Sequence, residues 1–157
     1  MAVAALITWL ITAVGGFVLL GTWLARGGAR ASSAAVAAHT GPSGSSDAQA
    51  TAPTRLSPPL IFGHFLLAAA GLVVWIVYLA TDNDTLAWTA LVLLVPVALL
   101  GFTMLARWIS AGDHRGASTG ANRPESHFPV AVVAGHGLFA VTTVVLVLLT
   151  VLGVGGS

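Results

Sequence analysis

The sequence predicts an all-α integral membrane protein, a four-helix up-down bundle in a single membrane domain. The first observation is composition: 57% of the 157 residues are hydrophobic and 7% are charged, whereas soluble domains are about a quarter charged. The second is that the apolar residues form four uncharged runs, each near the roughly 20 residues that a helix needs to cross hydrocarbon. A soluble globule is excluded. A disordered chain is also excluded, because disorder requires high net charge and the net charge here is +1.

The four runs are residues 2–25, 60–81, 85–106 and 130–152. A chain in lipid must satisfy its own backbone hydrogen bonds, and continuous apolar runs lack the alternation of barrel strands, so each run is predicted to be a helix. Pro59 and Pro129 mark the starts of the second and fourth helices, because the missing proline N–H costs nothing in a first turn. Pro96 lies inside the third run, where it either kinks the helix or is tolerated.

The connections between the runs differ in length and composition. Residues 27–57 are rich in Ala, Gly, Ser, Thr and Pro and are predicted to be a flexible linker. Residues 110–126 are predicted to be a second polar loop. The link between the second and third helices is only three residues, 82–84, which makes those helices antiparallel neighbours.

The arginines predict the orientation. The basic residues are six arginines in or beside the two long connections: Arg26, Arg30, Arg55, Arg107, Arg115 and Arg123. The short link carries two aspartates instead, so the positive-inside rule places both long loops in the cytoplasm and both termini outside. Arginine without lysine, together with abundant Ala, Gly and Val, suggests a GC-rich bacterial genome. The expected location is the cytoplasmic (inner) membrane, and no cleaved signal peptide is expected.

Aromatic residues fall near the predicted span ends, where interfacial anchoring is expected. They are Trp9, Trp75, Tyr78 and Trp88 toward the outer boundary and Trp23 and Trp108 toward the inner one.

Several functional classes lack the residues they require. The chain has no basic face large enough for a phosphate backbone, so nucleic acid is not an expected partner. It has no cysteine, which removes thiolate nucleophiles, iron–sulfur clusters and covalently attached haem. It contains no nucleophile elbow, phosphate loop, zincin motif or paired carboxylates. We therefore expect no catalytic activity from the chain on its own.

The two halves of the chain show similar patterns. A Leu-Ala-Arg sequence closes the first run at Arg26 and the third at Arg107, and Gly21 or Gly101 precedes it. A Gly-His pair then follows early in the second and fourth runs. The pattern is consistent either with two duplicated helical hairpins related by an axis along the membrane normal or with shared hydrophobic composition.

No Asp, Glu, Lys or Arg lies inside the predicted spans, and His64 and His136 are the only histidines there. They lie five and seven residues past Pro59 and Pro129, roughly 7 to 11 Å into each helix. In an up-down bundle the second and fourth helices are diagonal, so the two imidazoles can face each other and hold a haem iron axially. Gly21 and Gly101 would leave room for the macrocycle. Arg26 and Arg107 would pair with its propionates.

This layout resembles small four-helix membrane b-type cytochromes such as the cytochrome b561 family, in helix count and histidine pairing. That family is typically a two-haem system with histidine pairs on both sides of the membrane. The present chain has no histidine near its predicted outer face. The resemblance therefore implies at most one haem.

Other interpretations remain open at this point. In one, His64 and His136 are structural groups that bond a neighbouring helix; in another, they hold a metal ion or form a proton-sensitive contact. His39, His114 and His127 are expected to be solvated, and Met104 to fill the core. The leading functional interpretation is a structural or interaction subunit that packs against itself as a homo-oligomer or against a larger membrane complex. The alternatives are a mono-haem b-type cytochrome and a solute or ion carrier.

Overall fold

The computed structural model describes residues 1–30, 56–112 and 127–154. Their regular structure is helical, which confirms the all-α part of the predicted fold class. The four long helices are α1 (Ala2–Ala25), α2 (Pro58–Thr81), α3 (Asp84–Gly112) and α4 (Val130–Val151). Each is long and apolar enough to cross a membrane, which indicates a multi-pass membrane protein.

Prolines and a tight turn define the helix boundaries. Pro58 and Pro59 occupy the first positions of α2, and Pro129 lies in extended backbone just before α4. Asp82 ends α2 with a left-handed backbone, φ 53°, a conformation that short polar side chains tolerate. The Asn83 side-chain oxygen then accepts the Thr85 N–H at 3.0 Å. A two-residue turn therefore joins α2 to α3.

Two helical stretches extend beyond the predicted spans. Helix α3 continues through Pro96 to Gly112, whereas the apolar run ends at Ala106 and the sequence predicts a loop over residues 110–126. Hydropathy marks the part of a helix that fits in hydrocarbon, and a helix can continue into a polar layer. Residues 28–30, within the predicted linker 27–57, are also helical. The remaining parts of that linker and loop lie outside the described residues.

The helices form an antiparallel bundle. Helix α1 packs mainly on α4 and α2 mainly on α3, and lesser contacts join α3 to α4 and α1 to α2. Helices α2 and α4 are therefore diagonal, as are α1 and α3. Near one end, the Trp75 Nε1–H donates to the Ala2 carbonyl at 3.2 Å. We call this end, which carries the α2–α3 turn, the hairpin end, and the opposite end, where α2 and α4 begin, the loop end.

The buried core consists of two separate clusters. The hairpin-end cluster contains Ala5, Trp9, Trp75, Tyr78, Ala87, Ala90, Leu94 and Val147. The loop-end cluster contains Trp23, Leu56 and Ile61. His64 and His136 are only partly buried and belong to neither cluster.

The expected interfacial anchoring is wrong for most of the aromatic residues. Trp9, Trp75, Tyr78 and Trp23 are buried because they pack in the two core clusters. Trp88, half of whose surface is exposed, retains the position expected of an anchor. Position near a span end did not reveal which side of the helix each ring occupies.

Candidate functional site

His64 and His136 face each other across the bundle. Their ring centroids are 6.4 Å apart and their planes make an angle of 57°. His64 lies on α2 and His136 on the diagonal helix α4, six residues after the first residue of each helix. This equal depth brings the two rings to one level, as the sequence predicted.

Each imidazole is held by a backbone carbonyl of the helix beside it. His64 Nδ1 lies 3.0 Å from the Val97 carbonyl oxygen on α3, and His136 Nδ1 lies 2.9 Å from the Thr12 carbonyl oxygen on α1. A carbonyl oxygen can only accept, so each Nδ1 carries the proton and donates it. In the neutral imidazole this leaves the lone pair on Nε2, the state in which an imidazole binds a metal.

A glycine lies four residues after each of these carbonyls. Gly101 follows Val97, and Gly16 follows Thr12. A Cβ atom would lie 3.3 Å from His64 Cε1 at Gly101 and 3.2 Å from His136 Cε1 at Gly16. Side chains in a helix tilt toward its N-terminus, so one at either position would lie over the carbonyl one turn back. The two glycines clear the approach of each imidazole to its carbonyl.

The structure makes Gly16 the counterpart of Gly101. The sequence comparison paired Gly101 with Gly21, which is exposed and has open space where a Cβ would be. The sequence contains a signal for the other pairing, because a tryptophan follows seven residues after each contacting glycine, Trp23 after Gly16 and Trp108 after Gly101. Gly15 also contacts the site, with its Cβ position 3.3 Å from His136 Cβ.

Arg26 and Arg107 are both exposed at the loop end, at different heights. Arg107 lies six residues past Gly101, about 9 Å along α3, and Arg26 lies ten residues past Gly16, about 15 Å along the α1 direction. Helical side chains tilt back toward the N-terminus, which here is toward the histidines. Arg107 is therefore the closer of the two to the histidine level.

Two of the remaining candidates are among the described residues. His127 is exposed before α4, and Met104 packs against the loop-end cluster. His39 and His114 lie outside the described residues. In the part of the chain that the structure describes, no group of three or more His, Cys, Asp or Glu side chains is placed to hold a metal ion. Among the described residues, the candidate ligands at this level are the two imidazoles.

A threonine contact near His136 was not expected from the sequence. Thr143 on α4 is 2% exposed, and its hydroxyl lies 3.0 Å from the Thr8 hydroxyl on α1 and 2.8 Å from its own helix's Phe139 carbonyl. Thr8 in turn donates to the Ala5 carbonyl at 3.0 Å. The contact joins α1 to α4 and satisfies both hydroxyls.

Comparison with protein families, with curated proteins and with solved structures finds no match to this chain.

Proposed function

We propose that this protein is a small membrane b-type cytochrome that holds one haem between His64 and His136 and carries single electrons. The spacing of the two rings is the observation that carries the proposal. Iron–nitrogen bonds of about 2 Å, with about 1 Å from each Nε2 to its ring centre, place two axial imidazoles about 6 Å apart, centre to centre. The observed separation of 6.4 Å agrees with this value.

The donor set favours a metal that brings its own equatorial ligands. A bare ion in a structural site usually needs about four protein ligands, and the described residues supply only two imidazoles. A porphyrin supplies the other four nitrogens and leaves two axial positions open. Two diagonal histidines match this requirement.

The surrounding groups have distinct roles in the proposal. The Val97 and Thr12 carbonyls fix the orientation of each imidazole and increase its basicity, as outer hydrogen bonds do for metal-binding histidines. Gly16 and Gly101 keep the space beside the rings free of side chains. The bound haem supplies one-electron redox chemistry, and the apolar helices exclude water from it.

The arginines complete the proposed site. A guanidinium binds a carboxylate through paired hydrogen bonds, so Arg107, and Arg26 at greater distance, would hold the propionates on the loop-end side. We place the protein in a bacterial cytoplasmic membrane, with its long loops inside and its termini outside.

The structural-subunit interpretation explains less of this geometry. A structural histidine needs one hydrogen bond to a neighbouring helix, and His64 and His136 each make one. Nothing in that role requires the two rings to face each other at the same depth. Assembly as a homo-oligomer or within a larger membrane complex is compatible with haem binding and stays a prediction.

An absorption spectrum tests the proposal. Protein purified from haem-replete cells should show a Soret band that sharpens on dithionite reduction, with one haem b per chain. His64→Ala and His136→Ala should lose the band, whereas His127→Ala, which removes an exposed histidine, should keep it.

Two results would overturn the proposal. One is a folded but colourless wild-type protein, with helix content verified by circular dichroism. The other is elemental analysis showing one bare metal ion per chain, lost in both site variants, without haem.

A further inference from the structure

We infer that electrons enter and leave this site only from the loop end, through a water-soluble one-electron carrier with an anionic docking face. This inference rests on the proposed haem. It makes the protein a one-sided electron acceptor and donor, and not a conduit across the membrane.

Along α2 and α4 the histidines lie closer to the loop end than to the hairpin end. Each is six residues from the start of its helix, about 9 Å along the axis. Seventeen residues of α2 and fifteen of α4 remain beyond them, about 25 and 22 Å of helix. Electron tunnelling weakens exponentially with distance, so this difference strongly favours exchange at the loop end.

The hairpin-end side of the site is filled by packed side chains. Trp9 lies against Gly71, where an added Cβ would be 3.1 Å from the ring. Trp75 and Tyr78 pack with their ring centroids 4.9 Å apart. Among the described residues on this side of the histidine level there is no further histidine. A second haem of the same kind has neither ligands nor space there.

The charged side chains are distributed unevenly along the bundle axis. Among the described residues, the loop end carries Arg26 and Arg107, which the proposal sets against the two propionates, and also Arg30, whereas the hairpin end carries Asp82 and Asp84. A positive surface attracts an anionic partner and speeds its encounter. The end nearer the histidines is thus also the end that would attract a negatively charged carrier.

Oriented vesicles test the inference. The haem-loaded protein with a C-terminal affinity tag is reconstituted into sealed liposomes, and tag capture separates vesicles with the hairpin end outside from those with the loop end outside. Dithionite added outside should reduce the haem promptly in loop-end-out vesicles. In hairpin-end-out vesicles it should reduce the haem only after detergent is added.

Two further measurements use the same vesicles. Ferricyanide trapped inside loop-end-out vesicles should not be consumed when dithionite is added outside. Oxidation at the exposed loop end should slow with added salt for anionic ferricyanide and should not slow for cationic hexaammineruthenium. Prompt reduction in both orientations, or consumption of the trapped ferricyanide, would overturn one-sided exchange.

A lipid-soluble electron donor tests whether the partner is water-soluble. Equal reduction by a short-chain quinol in both orientations, faster than by any soluble carrier, would overturn the soluble-partner assignment. Failure of the haem proposal is separate, because the vesicles would then show no Soret band at all.

Discussion

The hairpin end and the histidine level are built from the same four helices by opposite means. At the hairpin end, large side chains such as Trp9 and Trp75 fill the space between helices. At the histidine level, Gly16 and Gly101 have no side chains to fill the space, and backbone carbonyls contact the imidazoles. The comparison shows how one bundle can be tightly packed over most of its length and reserve one layer for binding.

The largest expected effect comes from filling the binding layer. Gly16→Val and Gly101→Val should each abolish most haem binding, because even a Cβ would lie within 3.3 Å of an imidazole carbon. Haem per chain, measured as the pyridine haemochrome, checks this.

Gly21→Val is the matched control. It also replaces a helical glycine by valine, but a Cβ at this position has no neighbouring atom within 4 Å. It should retain its haem. If Gly21→Val lost haem while Gly16→Val kept it, the sequence-based pairing of Gly21 with Gly101 would be right and the structural one wrong.

Removing a large side chain from the hairpin-end cluster should have the next largest effect. This effect should be on the stability of the fold. Trp75→Ala should lower the free energy of unfolding by about 3–5 kcal/mol, because it leaves a cavity in a buried cluster. Denaturation in mixed micelles measures the change. The folded fraction should keep an unaltered haem spectrum.

Trp88→Ala serves as the comparison for that variant. Half of the Trp88 surface is exposed, so its removal should change the free energy of unfolding by no more than about 0.5 kcal/mol. Equal destabilisation by the two variants would show that the hairpin end is not the packed region described above.

The smallest expected effect concerns the contact between α1 and α4. Thr143→Val removes the hydroxyl that bonds Thr8 and should cost about 1 kcal/mol. Thr142→Val removes a hydroxyl that bonds only within its own helix, and should cost less. Identical unfolding curves for the two variants would show that the Thr8–Thr143 bond does not stabilise the fold.

The sequence predicted the helices and the histidine pairing for clear physical reasons. Spans follow from hydropathy, because lipid forces a long apolar run to be helical. Counting five and seven residues after Pro59 and Pro129 predicted similar depths on alternate helices, and the helix starts at Pro58 and Val130 make the depth six residues in each. Neither inference needs knowledge of side-chain contacts.

The remaining features depend on helix rotation, which weakly amphipathic membrane helices do not reveal. The halves were compared at their Leu-Ala-Arg ends, which mark the membrane boundary and not the inward-facing side, so Gly21 was paired with Gly101. The burial of Trp9 and Trp75 was missed for the same reason. The Thr12 and Val97 carbonyls leave no trace in residue type, because every residue of a helix except its last few has a similar carbonyl.

Electron paramagnetic resonance of the oxidised protein tests the central claim most directly. Two imidazoles on one iron should give a low-spin ferric signal in the wild type, replaced by a high-spin signal or lost in His64→Ala and His136→Ala. A high-spin wild-type signal, or a low-spin signal unchanged in either variant, would contradict coordination by this pair.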